Sequence, residues 1–580
     1  MDHSPLERVR HSLAHLLAMA VLDMQPDAKL GIGPIIEDGF YYDIDLTTPL
    51  TPEDLPKLEE RMRQLIADDL EFTVTTSTAT DALKWAKEAG ATYKEELITD
   101  LQAAGETELT FYHTGSKFMD LCKGPHVKQT SEINPAAFKL TRLAGAYWRG
   151  DEKRPMLTRI YGVAFADPDE LNEYLAQQEE AAKRDHRKLG QELDLFTFSP
   201  LVGPGLPLFT PRGTALRDRL VDKIMSLQEP RGYQRVNIPH ITKMALYEKS
   251  GHAAKFGDDL FKVKGKGDEE FAMKPMNCPH HTQIYASRPR SYRDLPVRYC
   301  EVTTCYRDEL AGELHGLSRV RSLTQDDGHV FCTPDQVANE VSIIFDIIEE
   351  FYKVLGMELS PWLSLSDPDD MGKYLGERTL WESAESTLRG LLEKRYSSYE
   401  TGVGDAAFYG PKVDFKAKDG LGRWWQLATV QLDFNLPNRF ELTFTDTDGQ
   451  QKQPVMIHRA VMGSLERFLS VIIEHFGGKF PYWMAPEQVR ILPIADRHIE
   501  FCREVAGKLP GVAVTVDDSD EKLGYKIRSA EAMKVPVVLV VGDKEIEQKM
   551  VNIRLRSDMA VEHPDTVPVG ELGEWLKQLS

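Results

Sequence analysis

The stretch LPVRYCEVTTCYRDELAGELHGLSRVRSLTQDDGHVFC, residues 295–332, limits the possible folds more than any other part of the chain. It reads as two strands joined by a polar loop, around which Arg307, Glu309, Arg319 and Arg321 gather. Several guanidinium forks near one turn suit a polyphosphate, because each can pair with phosphate oxygens. Further on, VMIHRAVMGSLERFLSVIIEHF passes from a strand through Gly463-Ser464 into a helix, with Arg467 in its first turn. The chain has no G-x-x-x-x-G-K followed by Ser or Thr, and no Rossmann fingerprint opens a helix. A sheet that binds a nucleotide with arginines instead of a glycine cradle is a narrow class.

Length then sets the number of parts. A chain of 580 residues exceeds one hydrophobic core, and roughly 150 residues per domain suggests about four units. Residues 1–166 mix short strands such as GFYYDIDL and ELTFYHTG with helices, predicting a compact α+β unit. Residues 167–192 carry acidic residues first and basic ones later, the order that suits a helix macrodipole, and predict a linker helix. Lys183, Arg184, Arg187 and Lys188 on it could touch RNA, although a solvated charged face is the usual meaning of such a run. Residues 193–482 lack βαβ regularity, which favours a mostly antiparallel sheet flanked by helices. From 483 to 580, apolar strands alternate with amphipathic helices, as in a small α/β domain with a mainly parallel sheet.

The formal charge of -21 argues against a protein that coats nucleic acid, but not against a local basic face on a large acidic enzyme. The six cysteines, at 122, 278, 300, 305, 332 and 502, form no CxxC and read as reduced thiols of a cytoplasmic protein. No run of about 18 apolar residues suggests a membrane span.

The Arg307/Glu309 hairpin resembles motif 2 of class II aminoacyl-tRNA synthetases, GSLER resembles motif 3, and RGYQRVNIPHI resembles the dimer-forming motif 1. MKPMNCPHH, SRVRSLTQDDGHVFC, AAFYGPKVDF and VMIHRAVMGSLERF resemble threonyl-tRNA synthetases in particular, and the likeness runs nearly the whole chain. It implies an α+β multidomain protein with an antiparallel class II core, a homodimer, and ATP, Mg2+, L-threonine and tRNA(Thr) as its partners. By the same resemblance Arg307 would hold the α-phosphate, Glu309 the adenine amino group and Arg319 the γ-phosphate. Arg467 would stack on the adenine. Leu323 stands where the family usually places Phe, so the base would lose a ring stack.

Cys278, His329 and His458 are 51 and 129 positions apart, which is no metal signature. The resemblance puts all three at zinc-ligand positions, and three protein ligands leave a Zn2+ site open for another group. In that family the substrate's amine and hydroxyl fill it, with Met276, Gln325, Asp327 and Tyr409 completing the threonine pocket. Valine lacks the hydroxyl and should be rejected, whereas serine lacks only a methyl, worth roughly 1–3 kcal/mol. A correction step is therefore expected.

His11 and His15 stand at i, i+4 in HSLAHLLAMA and share one helix face, and Cys122 and His126 flank a Gly124-Pro125 turn. HxxxH joined to CxxxH resembles the editing domain of threonyl- and alanyl-tRNA synthetases, which hydrolyses serine wrongly attached to tRNA. A His or Cys would position the water, with Asp120 nearby. Metal-free editing is expected, although the same four side chains also suit a Cys-His₃ zinc site. His11 so close to the start implies that the ubiquitin-like domain of many bacterial members is absent. The last hundred residues resemble an anticodon-binding domain, with Glu521, Lys526 and Arg528 as candidate contacts. Two rival readings stand beside this one: a silent synthetase-like RNA-binding regulator, and a class II ligase for serine, proline or alanine.

Overall fold

The computed structural model describes residues 4–559 and 561–579. The chain divides into two compact units, Met1–Glu179 and Glu180–Ser580.

In the first unit the helix Pro5–Met24 starts from a capping box. Ser4 Oγ accepts the Glu7 N–H at 3.2 Å, and the Ser4 N–H donates to Glu7 Oε2 at 2.7 Å. These contacts satisfy end groups that the helix itself cannot, with Pro5 at the first position, where its missing N–H costs nothing. Leu13, Leu16 and Leu17 of this helix are wholly buried, together with Phe40, Tyr42, Ile44 and Ile160 of the neighbouring strands. Each such leucine contributes about 2 kcal/mol of apolar burial. Those strands form an antiparallel sheet, Lys29–Leu30, Gly39–Asp45, Met156–Ala164 and Phe138–Tyr147 in order. A second antiparallel sheet joins Phe72–Thr78, Glu108–Thr114 and Phe118–Leu121.

The expected single linker helix over 167–192 is two helices, Pro168–Lys183 and His186–Glu192. Asp185 breaks it: its carboxylate caps the Arg187 N–H at 2.8 Å and starts a new helix. Of the basic residues there, Arg184 pairs with Glu180 and Arg187 with Asp185.

The second unit is built on an eight-stranded sheet. Its order is Gln234–Arg235, Val297–Tyr306, Ser322–Cys332, Val455–Ala460, Trp424–Asp433, Lys412–Lys418, Glu358–Leu365 and Glu400–Val403. The six inner strands pair antiparallel, as the missing βαβ pattern suggested, and only the two edge strands join in parallel. Side chains alternate between its faces. Val330, Cys332, Val455 and Ile457 meet the helices Val337–Val354 and Leu465–His475 in the main core. Tyr299, Phe331 and Met456 point the other way, toward the helix Cys278–Ala286 and its Tyr285. That second face carries the site.

The C-terminal sheet runs Val514–Val516, Val489–Pro493, Val537–Val541, Met550–Leu555 and Thr566–Pro568. Its first three strands are parallel and the last two antiparallel, so the sheet is mixed.

Candidate functional sites

Register builds the first site. His329 sits opposite Tyr299 on one side and opposite His458 on the other. Because side chains alternate, Leu323, Gln325, Asp327 and His329 fall in one row on the face away from the main core. Cys278 opens the helix that covers this face. One donor atom from each of Cys278, His329 and His458 lies within 4.8 Å of the others, and all three residues are buried.

The surroundings orient the donors. His458 Nε2 is 2.9 Å from Asp433 Oδ2, and its Nδ1 faces His329 Nε2 at 3.1 Å. His329 Nδ1 lies 2.7 Å from His281 Nδ1, and Asp327 Oδ1 is 3.6 Å from His329 Nε2. Asn277 donates to Asp327 Oδ2 at 3.1 Å. Burial lowers the pKa of His329 and raises those of the Cys278 thiol and the Asp327 carboxyl. One soft sulfur, two imidazoles and a carboxylate behind one of them form a donor set that fits zinc. A bound cation would reverse the local cost of ionising the thiol.

Tyr409, also buried, brings its ring to 5.1 Å from that of His458. Gln325 lies in the same row, its Oε1 3.8 Å from the Cys305 sulfur. Met276 contacts the next group along, since Arg307 Nη2 lies 3.3 Å from its sulfur. Arg307 follows the strand end at Tyr306, lies 5.2 Å from the Phe256 ring centroid, and has no partner for its buried Nε. Arg319 pairs with Glu309 at 2.6 Å and with Glu313 at 2.9 Å. These pairs are solvent-screened on the arginine side, so exchanging them for a phosphate costs little. Arg467 stands in the first turn of the helix that Ser464 caps, with no ion-pair partner among the described residues. Desolvation by its surroundings lowers its pKa. Among the described residues, Arg307 and Arg467 are cations without a paired anion. Leu323 packs with Cys305 and Val320.

Several residues here have roles that local spacing does not show. Asp433, His281 and Asn277 join the site only through the register and the covering helix. His252 does so as well, with Nε2 3.5 Å from Cys278 Sγ and a pKa that burial pushes down to about 4. Behind the sheet, wholly buried Arg459 donates to Asp326 at 2.7 Å, and Asp326 also accepts the Val461 and Met462 N–H groups.

The second site lies in the first unit. Cys122 Sγ is 3.2 Å from His11 Nε2 and 3.3 Å from His126 Nε2. The rings of His11 and His15 each lie 4.3 Å from that of His126. Gly124 takes φ +65°, and a Cβ there would meet the Tyr112 hydroxyl at 2.3 Å, so only glycine lets this loop close. Burial pushes the Cys122 thiol up to about 12 and holds the His15 and His126 pKa values well down. All three are therefore neutral near pH 7. Asp120 has its own buried partners, with Lys94 Nζ at 2.5 Å and the Tyr42 hydroxyl donating to it. A cavity of about 510 Å³ reaches His11, His15, Lys94, Asp120 and Cys122. It holds a neutral thiol, imidazoles and a buried Lys–Asp pair, a set able to orient a water beside an ester.

In the C-terminal domain Glu521 and Arg528 are exposed. Lys526 is buried and donates to the Asp517 carbonyl at 2.8 Å, an anchoring role that the sequence had not suggested.

Residues 261–476 match the family described as "tRNA synthetase class II core domain (G, H, P, S and T)". Residues 488–579 match "Anticodon binding domain", and residues 109–161 match "Threonyl and Alanyl tRNA synthetase second additional domain". Fold and matches define a class II aminoacyl-tRNA synthetase.

A threonine–tRNA ligase of Gloeobacter violaceus is 48% identical over 587 residues, covering 100% of this chain and 93% of its own. That of Thermus thermophilus is 47% identical, covering 94% and 85%. Among solved structures, the RNA-binding domain of threonyl-tRNA synthetase from Cryptosporidium parvum is similar, with a TM-score of 0.65 and 35% identity over 68% of this chain and 98% of that one. A putative threonyl-tRNA synthetase from Aeropyrum pernix gives 0.60 and 30%, covering 68% and 95%. The chain belongs to the threonine–tRNA ligase family.

Proposed function

We propose that this chain activates L-threonine with ATP, transfers it to tRNA(Thr), and hydrolyses seryl-tRNA(Thr) at its N-terminal site. The observation that carries the reading is the convergence of Cys278 from the covering helix and His458 from the neighbouring strand on His329, which shares its row with Gln325 and Asp327. Zinc held by those three would offer an open position to the substrate amine and hydroxyl, which selects the amino acid. Asp327 accepts from the amine, and Met276, Gln325 and Tyr409 wall the side chain.

Arg307 neutralises the α-phosphate as the threonine carboxylate attacks it, and Arg467 holds the adenine and the outer phosphates. Glu309 and Arg319 exchange their ion pair for the adenine amino group and the γ-phosphate. Mg2+ accompanies the ATP. Editing is metal-free: His11, His15, His126 and Cys122 hold the water, and Asp120 acts through Lys94 and Tyr42.

The working arrangement is an editing domain (1–166), a linker (167–192), a catalytic domain (193–482) and an anticodon-binding domain (483–580). Glu521 and Arg528 face the anticodon stem-loop, and Lys526 shapes that surface. A cytoplasmic homodimer through motif 1 is the setting this reading implies. The thiols of the described cysteines are all free, and no helix among the described residues is long and apolar enough to cross a membrane.

The direct test is to charge a tRNA(Thr) transcript with labelled threonine and to follow hydrolysis of preformed seryl-tRNA(Thr). Both should proceed. A protein that binds the transcript without charging it would be the regulator instead.

A further inference from the structure

His186 opens the second linker helix and is only 2% exposed. Its Nδ1 lies 2.7 Å from Glu474 Oε1, which also accepts the His186 backbone N–H at 3.1 Å. Its Nε2 lies 3.1 Å from the Leu317 backbone nitrogen. An amide can only donate, so Nε2 accepts, and the proton of a neutral ring sits on Nδ1 and points at Glu474. The Glu474 oxygens are both engaged, since Arg423 donates to Oε2 at 2.5 Å while pairing with Asp419 at 2.7 Å. Burial raises the Glu474 pKa, but the hydrogen bonds from His186 and Arg423 outweigh it and keep the carboxyl ionised. Asp185 is taken up by Arg187. The Asp185, His186 and Glu474 group therefore has no spare donor for a metal and is a relay of hydrogen bonds.

The relay ends on the loop between the two motif 2 strands. Leu317 is the tip of a tight turn, in which the Ser318 and Arg319 N–H groups return to the His315 carbonyl. Its side chain is wholly buried in the main core. Gly316 has φ +49°, and a Cβ there would lie 2.2 Å from His186 Nε2. The turn is thus pressed onto the imidazole, and only glycine allows the approach. Two residues past the tip is Arg319, which holds Glu309 across the loop.

We infer that His186 is a positioning residue for ATP: by accepting the Leu317 N–H it fixes the motif 2 loop in the form that presents Glu309 and Arg319 to the nucleotide. The inference rests on the proposed reading of that loop as an ATP site. It assigns to the linker a part in catalysis through the loop, separate from its part as a connector.

Two substitutions divide the imidazole's two bonds. His186→Asn keeps a donor near Nδ1 and has no atom at Nε2. His186→Gln puts a carbonyl oxygen near Nε2 and loses the bond to Glu474. Each removes one buried hydrogen bond, so the two should lower Tm by similar amounts. In zinc-loaded full-length protein, threonine-dependent pyrophosphate exchange should show the ATP KM of the Asn variant raised about tenfold, with the threonine KM and kcat within about twofold of wild type. Hydrogen exchange should quicken at the Leu317 amide. The Gln variant should stay near wild type in ATP KM and in that amide. Equal ATP KM in both variants, or a Leu317 amide that quickens without any change in ATP KM, overturns the inference while leaving the ligase reading intact. Wild-type protein that exchanges nothing with threonine overturns the ligase reading, and this inference with it.

Discussion

Cys278, His329 and His458 are held by a sheet whose register sets His329 directly opposite His458, with Asp433 against one imidazole and Asp327 beside the other. Cys122, His15 and His126 are held by one helix and one irregular loop beside an open cavity. There, His126 meets the Ser12 hydroxyl and the Cys122 sulfur, and buried His15 Nδ1 has no partner. The residue types are the same, yet the settings differ. A carboxylate behind an imidazole fixes its orientation and raises its basicity, which favours a cation. The N-terminal cluster instead keeps Asp120 on Lys94 and Tyr42, leaving the neutral His15 ring and a neutral thiol toward the cavity. Donor atoms gather within 4.8 Å in both clusters, so on the proposed reading what stands behind the rings separates them, not the list of ligands.

Substitutions can break this contrast. The largest effect should be a double dissociation. Cys278→Ala should lower threonine-dependent exchange on the order of 10³-fold and leave seryl-tRNA deacylation untouched, because the soft ligand is lost from one site only. His126→Ala should lower deacylation about 10²-fold and leave exchange unchanged. Loss of both activities in either variant would mean that the two sites do not work separately. The acid side sharpens the point. His15 and His126 have folded pKa values held below 6.5, so their neutral forms persist as pH falls. Protonation of His15 or His126 should therefore add no step to wild-type deacylation between pH 8 and about 6.

A smaller effect is expected from Asp433→Asn. It keeps the shape behind His458 and removes the charge, so zinc affinity, measured by competition with a chelator, should fall about 10- to 100-fold. An unchanged affinity would remove the carboxylate from the explanation. Smallest is Leu323→Phe. An aromatic stack adds about 0.5–1.5 kcal/mol beyond area burial, so the ATP KM should fall by about two- to tenfold. A rise would mean that the pocket left by Cys305 and Val320 is too small for a ring.

What was readable in the sequence was local. The hairpin 295–332 and the Gly463-Ser464 helix start are coded by alternation, a polar loop and a capping serine, and both form as read. The bend at Gly124-Pro125 is equally local. The trio was different, since spacings of 51 and 129 residues mean nothing until pairing sets His329 against His458. Only the family resemblance singled these residues out. The role of Asp433 is hidden for the same reason, and His281, although inside MKPMNCPHH, gains its role only by meeting His329. The linker shows the reverse error. Charge order predicted one helix, but Asp185 offered the backbone a cap and the buried contacts of His186 fixed the break. Lys526 carried a charge that suggested a surface, and tertiary packing buried it on a carbonyl.

The most direct test of the central claim is amino-acid-dependent exchange of pyrophosphate into ATP, run with threonine, serine and valine on zinc-loaded and zinc-stripped protein. The account predicts strong exchange with threonine, weaker with serine and none with valine, all lost on stripping and restored by zinc. Exchange with threonine that survives complete removal of zinc, or that accepts valine as well as threonine, would contradict it.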